Sequence, residues 1–139
     1  MYLKSMKQLF VFGALALGAA SQANAAACGP TSVTIPATGL IKAQEEIVIY
    51  TKTFNCSAYL TGSVGKPFGS SSVPFNQQLD IQEQRGGSWV SVSKGLNVSY
   101  QMKSTGGTYK MILRNTSTGG NPSSAGENWS ISYKTPLNN

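Results

Sequence analysis

Ser63-Val64-Gly65-Lys66 and Ser91-Val92-Ser93-Lys94 both carry Ser-x-x-Lys, the spacing at which a lysine can take the proton of an acylating serine. Nothing else in the chain completes such a centre, and a Ser-rich sequence produces this spacing by chance. Gly65-Lys66 has the form of the end of a phosphate-binding loop. However, Leu60 stands where its first glycine belongs, and Pro67 where a magnesium-holding Ser or Thr belongs. The carboxylates available for acid–base work are Glu45, Glu46, Asp80, Glu83 and Glu127, and none sits in a setting that suggests a raised pKa. Asp80 and Glu127 lack the run of alternating Asp or Asn ligands of a calcium loop. With no histidine in 139 residues, imidazole bases, triads and imidazole metal sites are excluded. The expectation is a protein that is not an enzyme and needs neither cofactor nor metal.

Binding chemistry is better represented. Lys103, Lys110, Arg114 and Lys134 fall on the last three expected strands, where together they form a candidate basic stripe. Such a stripe attracts acidic polysaccharide, lipopolysaccharide or extracellular nucleic acid in a salt-dependent way. The competing reading is that these charges keep a small domain soluble and protect sheet edges. No base-reading motif is present, so sequence-specific nucleic-acid binding is disfavoured. Trp89 alternates with Val90 and Val92 and therefore points outward, either as a sugar-stacking platform or as an edge residue under a loop. Four Asn-x-Ser/Thr sequons, at Asn55, Asn97, Asn115 and Asn128, read as chance products of a Ser- and Asn-rich chain.

These residues need a compartment and a scaffold. Lys4 and Lys7, the apolar run Leu9 to Ala20 and the small-x-small Ala23-Asn24-Ala25 have the form of a signal peptide over 1–25, with the secreted domain over 26–139. The apolar run is too short to span a membrane. The leader looks bacterial, so the expected location is periplasm, cell surface or medium. Removing Lys4 and Lys7 leaves nine basic residues against five acidic ones, a net charge of about +4. In an oxidising compartment Cys28 and Cys56 are expected to pair, since no His or further Cys completes a zinc site or an activated thiol.

Only 12% of residues are charged, against roughly 25% in ordinary soluble domains, and short alternating runs rich in Val, Ile, Tyr and Thr are separated by Gly, Pro, Ser and Asn clusters. No window shows a helical stripe. Strands are expected at 32–35, 46–54, 55–61, 78–84, 88–93, 97–103, 108–115 and 128–134. Arg85-Gly86-Gly87, Lys94-Gly95 and Ser104-Thr105-Gly106-Gly107 each read as hairpin closures, which makes the second half a meander. Alternation buries Leu96, Val98, Tyr100 and Met102, then Trp129, Ile131 and Tyr133, then Leu79 and Ile81, and leaves Asp80 and Gln82 in solvent. The segments 62–76 and 116–127 read as long surface loops. The fold class this implies is all-β, a single antiparallel β-sandwich of seven or eight strands, immunoglobulin-like or jelly-roll-like, with one disulfide.

The leader, one early disulfide, the immunoglobulin-like strand set and the final alternating Trp129, Ile131 and Tyr133 after Gly126 give a layout that resembles chaperone-usher pilus subunits. The resemblance is one of layout only. Cys28 follows the cleavage site with no alternating donor strand before it, and the chain closes Pro136-Leu137-Asn138-Asn139, without the penultimate aromatic of such subunits. Both departures argue against donor-strand exchange, and membership is not claimed. Three functions fit these features. The first is surface attachment or assembly, as an adhesive, pilus-like or biofilm-matrix component that meets itself or another surface protein. The second is binding of an acidic or neutral glycan. The third is inhibition of an acidic enzyme cleft, as a periplasmic inhibitor or immunity protein.

Overall fold

The computed structural model describes residues 27–28, 32–117 and 126–136. The expected leader lies outside them. The elements are β1 (Ser32–Ile41), β2 (Glu46–Phe54), β3 (Tyr59–Val64), β4 (Gln77–Arg85), β5 (Ser88–Gly95), β6 (Asn97–Gln101), β7 (Gly107–Asn115) and β8 (Glu127–Pro136). They form two four-stranded sheets, ordered β1-β8-β3-β6 and β2-β7-β4-β5, in which every pairing is antiparallel. Their inner faces meet in a core that includes Leu60, Leu79, Ile81, Tyr109, Met111, Leu113 and Ile131. This is the β-sandwich expected from alternation.

β1 runs six residues beyond the expected Ser32–Ile35 because Pro36 does not end it. β1 lies at a sheet edge, where a residue without an N–H is tolerated. Gly39 sits opposite Trp129, and a Cβ there would come within 2.9 Å of the indole, so the small residue makes room for the buried Trp129. β3 begins later than expected because the chain first turns through Cys56, which is bonded to Cys28. There Cys28 N–H donates to Ser57 O at 2.8 Å, and Ala27 makes a parallel bridge with Ser57.

The meander is not formed. Gly86 and Gly87, both at positive φ, close the β4–β5 hairpin as expected. Lys94-Gly95 instead passes the chain from one sheet to the other, and the segment 104–107 passes it back so that β7 enters between β2 and β4. The reason lies in β7 itself. Met111, Ile112 and Leu113 are consecutive and all buried, so both faces of this strand need cover, which a central strand between two partners receives. Lys110 and Arg114 share the outer face of this strand with Ile112, and that face lies in the interior of the sheet because β7 is paired on both sides.

The disulfide closes a separation of 28 residues, for which the loop-entropy relation gives about 3.5 kcal/mol. We expect Cys28→Ser/Cys56→Ser to lose most of that stability while keeping the same fold. Urea unfolding with and without reductant measures it, and a midpoint indifferent to reductant contradicts the expectation.

Candidate functional site

The sequence-selected side chains are distributed over three places. Lys134 lies on β8 and faces solvent from the β1-β8-β3-β6 sheet, whereas Lys110 and Arg114 lie on the outer face of the other sheet. Lys103 follows β6 and reaches Glu83 at 3.2 Å. The continuous basic stripe is therefore not formed, because β6 and β8 belong to one sheet and β7 to the other. Trp89 points outward from edge strand β5, as alternation required, but it is half-buried: Lys110 Nζ sits 4.4 Å from the ring centroid and covers one indole face. Its cover is a neighbouring lysine rather than a loop.

Asp80, expected in solvent, is corrected. It is on the outward face but only 2% exposed, because neighbours on three strands close over it. Ser91 Oγ donates to it, Gln82 Nε2 donates at 2.8 Å, and Arg114 lies at 3.9 Å. Arg114 also binds Glu46 at 2.7 Å. Glu127 accepts from Asn76 Nδ2 at 2.8 Å at one end of the sandwich, so the two carboxylates weighed for calcium are each engaged by protein groups.

Glu83 shares parity with Leu79 and Ile81, and so it turns inward at the end of the sandwich that also carries the disulfide. There its carboxylate is 2% exposed. It accepts from Tyr109 Oη at 2.6 Å, Arg85 Nε at 2.6 Å and Tyr100 Oη at 3.3 Å. Burial alone would push this carboxyl up. The hydrogen bonds of Tyr109, Arg85 and Lys103, with the charge of Lys103, outweigh it and hold the group near about 2. Burial and the Glu83 charge push the Tyr109 phenol above its ordinary range. A carboxylate held ionised and closed from water is a structural anchor and not a proton shuttle at neutral pH.

No protein-family model matches the chain, and no curated protein matches it. Among solved structures, the Yersinia pseudotuberculosis-derived mitogen superposes with a TM-score of 0.50 at 16% identity, over 80% of this chain and 89% of that chain. That likeness concerns the sandwich fold alone.

The opposite end of the sandwich presents a different surface. There β1 ends beside the start of β8, β3 beside the start of β6, and β7 beside the starts of β2 and β4. Gln77 Nε2 donates to Asn128 O at 3.1 Å and ties the two sheets together. The connecting segment 65–76 is anchored at both ends: Gly65 N–H donates to Ser130 O at 2.8 Å, and Thr116 N–H to Asn76 O at 2.7 Å. Between these anchors the buried Pro67 and the Ser70–Ser72 turn fix the path, yet Phe68 is 96% exposed and Phe75 88%. Leu40, Val73 and Leu96 are exposed at the same end. Phe68 stands beside a groove of about 250 Å³ that Thr38, Gly39, Leu40, Asn128 and Trp129 complete. Sequence reasoning marked this loop as long but overlooked its two phenylalanines, although an aromatic beside each of Pro67 and Pro74 was visible.

The groove opens at the border of an unusual sheet face. On the outside of β1-β8-β3-β6, one cross-strand row reads Pro36, Ser132, Ser63 and Asn97. The next reads Thr34, Lys134, Thr61 and Ser99. Thr38 pairs with Ser130 on the groove side, and the exposed Tyr59 pairs with Gln101 on the far side. Lys134 is the single charge in these rows. The outer face of the other sheet carries Glu46, Asp80, Lys94, Lys110 and Arg114.

Proposed function

We propose that this protein is a non-catalytic, exported attachment module that engages its partner through the Phe68 and Phe75 end of the sandwich. The observation that carries the reading is the near-complete exposure of two aromatic rings on a loop whose backbone is anchored at both ends. Exposed aromatics on a fixed frame lose little side-chain freedom on binding and mark interaction surfaces. Attachment is favoured over edge-to-edge assembly because each outer strand is blunted. β1 contains Pro36, β2 is bulged between Val48 and Tyr50, β5 is bulged at Val92 opposite Ile81/Gln82, and β6 has five residues.

The test uses labelled mature protein on washed cells of the organism that makes it. Two rings contributing on the order of 1 kcal/mol each give roughly a thirtyfold loss of retention for Phe68→Ser/Phe75→Ser, with the melting temperature unchanged. Equal retention by both proteins would sink the reading.

A further inference from the structure

We infer that the partner at this end is a neutral polysaccharide, with one sugar ring held between Phe68 and the β1–β8 floor and the chain continuing across the hydroxyl-rich outer face of that sheet. The inference rests on the attachment reading above and names its partner. Its first support is the groove. A space of about 250 Å³ admits a single six-membered ring, given that a cavity of about 150 Å³ holds benzene. Its walls offer both kinds of contact that a sugar makes: Phe68 and Leu40 for the C–H face, and the Thr38 hydroxyl and Asn128 amide for the hydroxyls. Phe68 is almost wholly exposed, so the slot is open to solvent and a polymer can leave it.

The second support is the sheet beyond the slot. Ser132, Ser63 and Asn97 follow one another across β8, β3 and β6 on strands about 4.8 Å apart, a step comparable with the length of one sugar ring. Short hydroxyl and amide side chains both donate and accept, as sugar hydroxyls do, and Ser and Thr surrender little rotamer freedom when they bind. A neutral polymer avoids the desolvation of charges, and this face holds Lys134 alone, while the charged residues are gathered on the opposite sheet. On the sheet rows an acidic polymer would find one cation, Lys134, with Lys66 exposed on the loop that carries Phe68, which is a poor electrostatic match for a polyanion. Tyr59, exposed at the far end of the face, offers a second ring to the same chain.

Native affinity electrophoresis of the mature protein in gels containing dextran, laminarin, galactomannan or hydroxyethyl cellulose tests the inference, with alginate as the acidic comparison. We expect retardation by at least one neutral polymer, insensitive to added salt. Phe68→Ala should weaken it about tenfold, Ser132→Glu should abolish it, and Trp89→Ala should leave it unchanged, with circular dichroism confirming that each variant is folded. Retardation by alginate alone overturns the inference, as does retardation that survives both Phe68→Ala and Ser132→Glu. So does the absence of retardation by all four neutral polymers while attachment to cells still depends on Phe68. In that last case the attachment reading stands and its partner is of another class, whereas loss of all Phe68-dependent attachment removes the attachment reading itself.

Discussion

Glu83→Ala is expected to destabilise the sandwich by about 3 kcal/mol, one of the two largest effects of any single substitution argued for this chain. The loss does not come from the cations. The side chains of Arg85 and Lys103 are 47% and 59% exposed and return to water when their partner is removed. It comes from the Tyr109 hydroxyl, which is fully buried and left without its acceptor, and from the space the carboxylate vacates. Glu83→Gln keeps an acceptor oxygen and most of the volume, so it should cost less than half as much. Tyr109→Phe together with Glu83→Ala should cost less than the sum of the two, because both remove one shared bond.

The same group predicts an acid limb. Its folded value near about 2 lies below the ordinary carboxylate value of 4.5, so the unfolded chain binds the proton first as pH falls. The stabilisation is complete above pH 4.5 and is lost progressively as pH falls toward 2. Urea midpoints measured from pH 7 down to pH 2 for wild type and Glu83→Gln check this. The variant should lack that part of the decline. Parallel curves for the two proteins contradict the assignment.

Glu83 also illustrates what the sequence made legible. Its parity with Leu79 and Ile81 places it on the inner face, and that signal was present in the alternation. Its burial depends on Tyr109 of β7 and Lys103 of the β6–β7 turn, which no local pattern records, whereas Arg85 is two residues on along β4. Asp80 follows the same logic on the other face, where alternation set its direction correctly and its exposure wrongly, since Ser91 and Arg114 come from neighbouring strands. The strands, most of their facing and the Cys28–Cys56 pair were readable because each rests on local alternation, or on there being two cysteines to join; Leu96, expected in the core, is exposed because it lies in the link between β5 and β6. Sheet order was less so. The run Met111-Ile112-Leu113 did carry a hint that β7 is covered on both sides. Ile112 is 3% exposed between Lys110 and Arg114, whose aliphatic stems can shield it. The sheet switches after β5 and β6 then separate Lys103 and Lys134 from Lys110 and Arg114, so a stripe drawn along consecutive strands does not survive folding. Phe68 and Phe75 were hidden for the opposite reason: their loop has no periodicity, and only the backbone anchors show that it is held.

The other large effect belongs to Gly106→Ala, for which about 4 kcal/mol or more is expected. Gly106 has φ of 77°, a left-handed conformation that costs a non-glycine residue roughly 1 kcal/mol or more by itself. The larger part is steric. A Cβ at this position would lie 2.2 Å from Phe54 O, 2.8 Å from Phe54 C and 3.0 Å from Cys56 N, all backbone atoms of the corner that leads into the disulfide. A side-chain tip could swing away. This corner cannot, because Cys56 is bonded to Cys28 and Phe54 is buried in the core. Gly87→Ala provides the internal comparison. Gly87 also has a positive φ, of 85°, but nothing stands within 4 Å of its missing Cβ, so its substitution should cost only about 1 kcal/mol. Urea unfolding of the two variants separates backbone conformation from collision. A loss at Gly106 no greater than at Gly87 would mean that the β6–β7 turn can move off the corner, and that the close packing of this end is not what holds the disulfide-bearing corner in place.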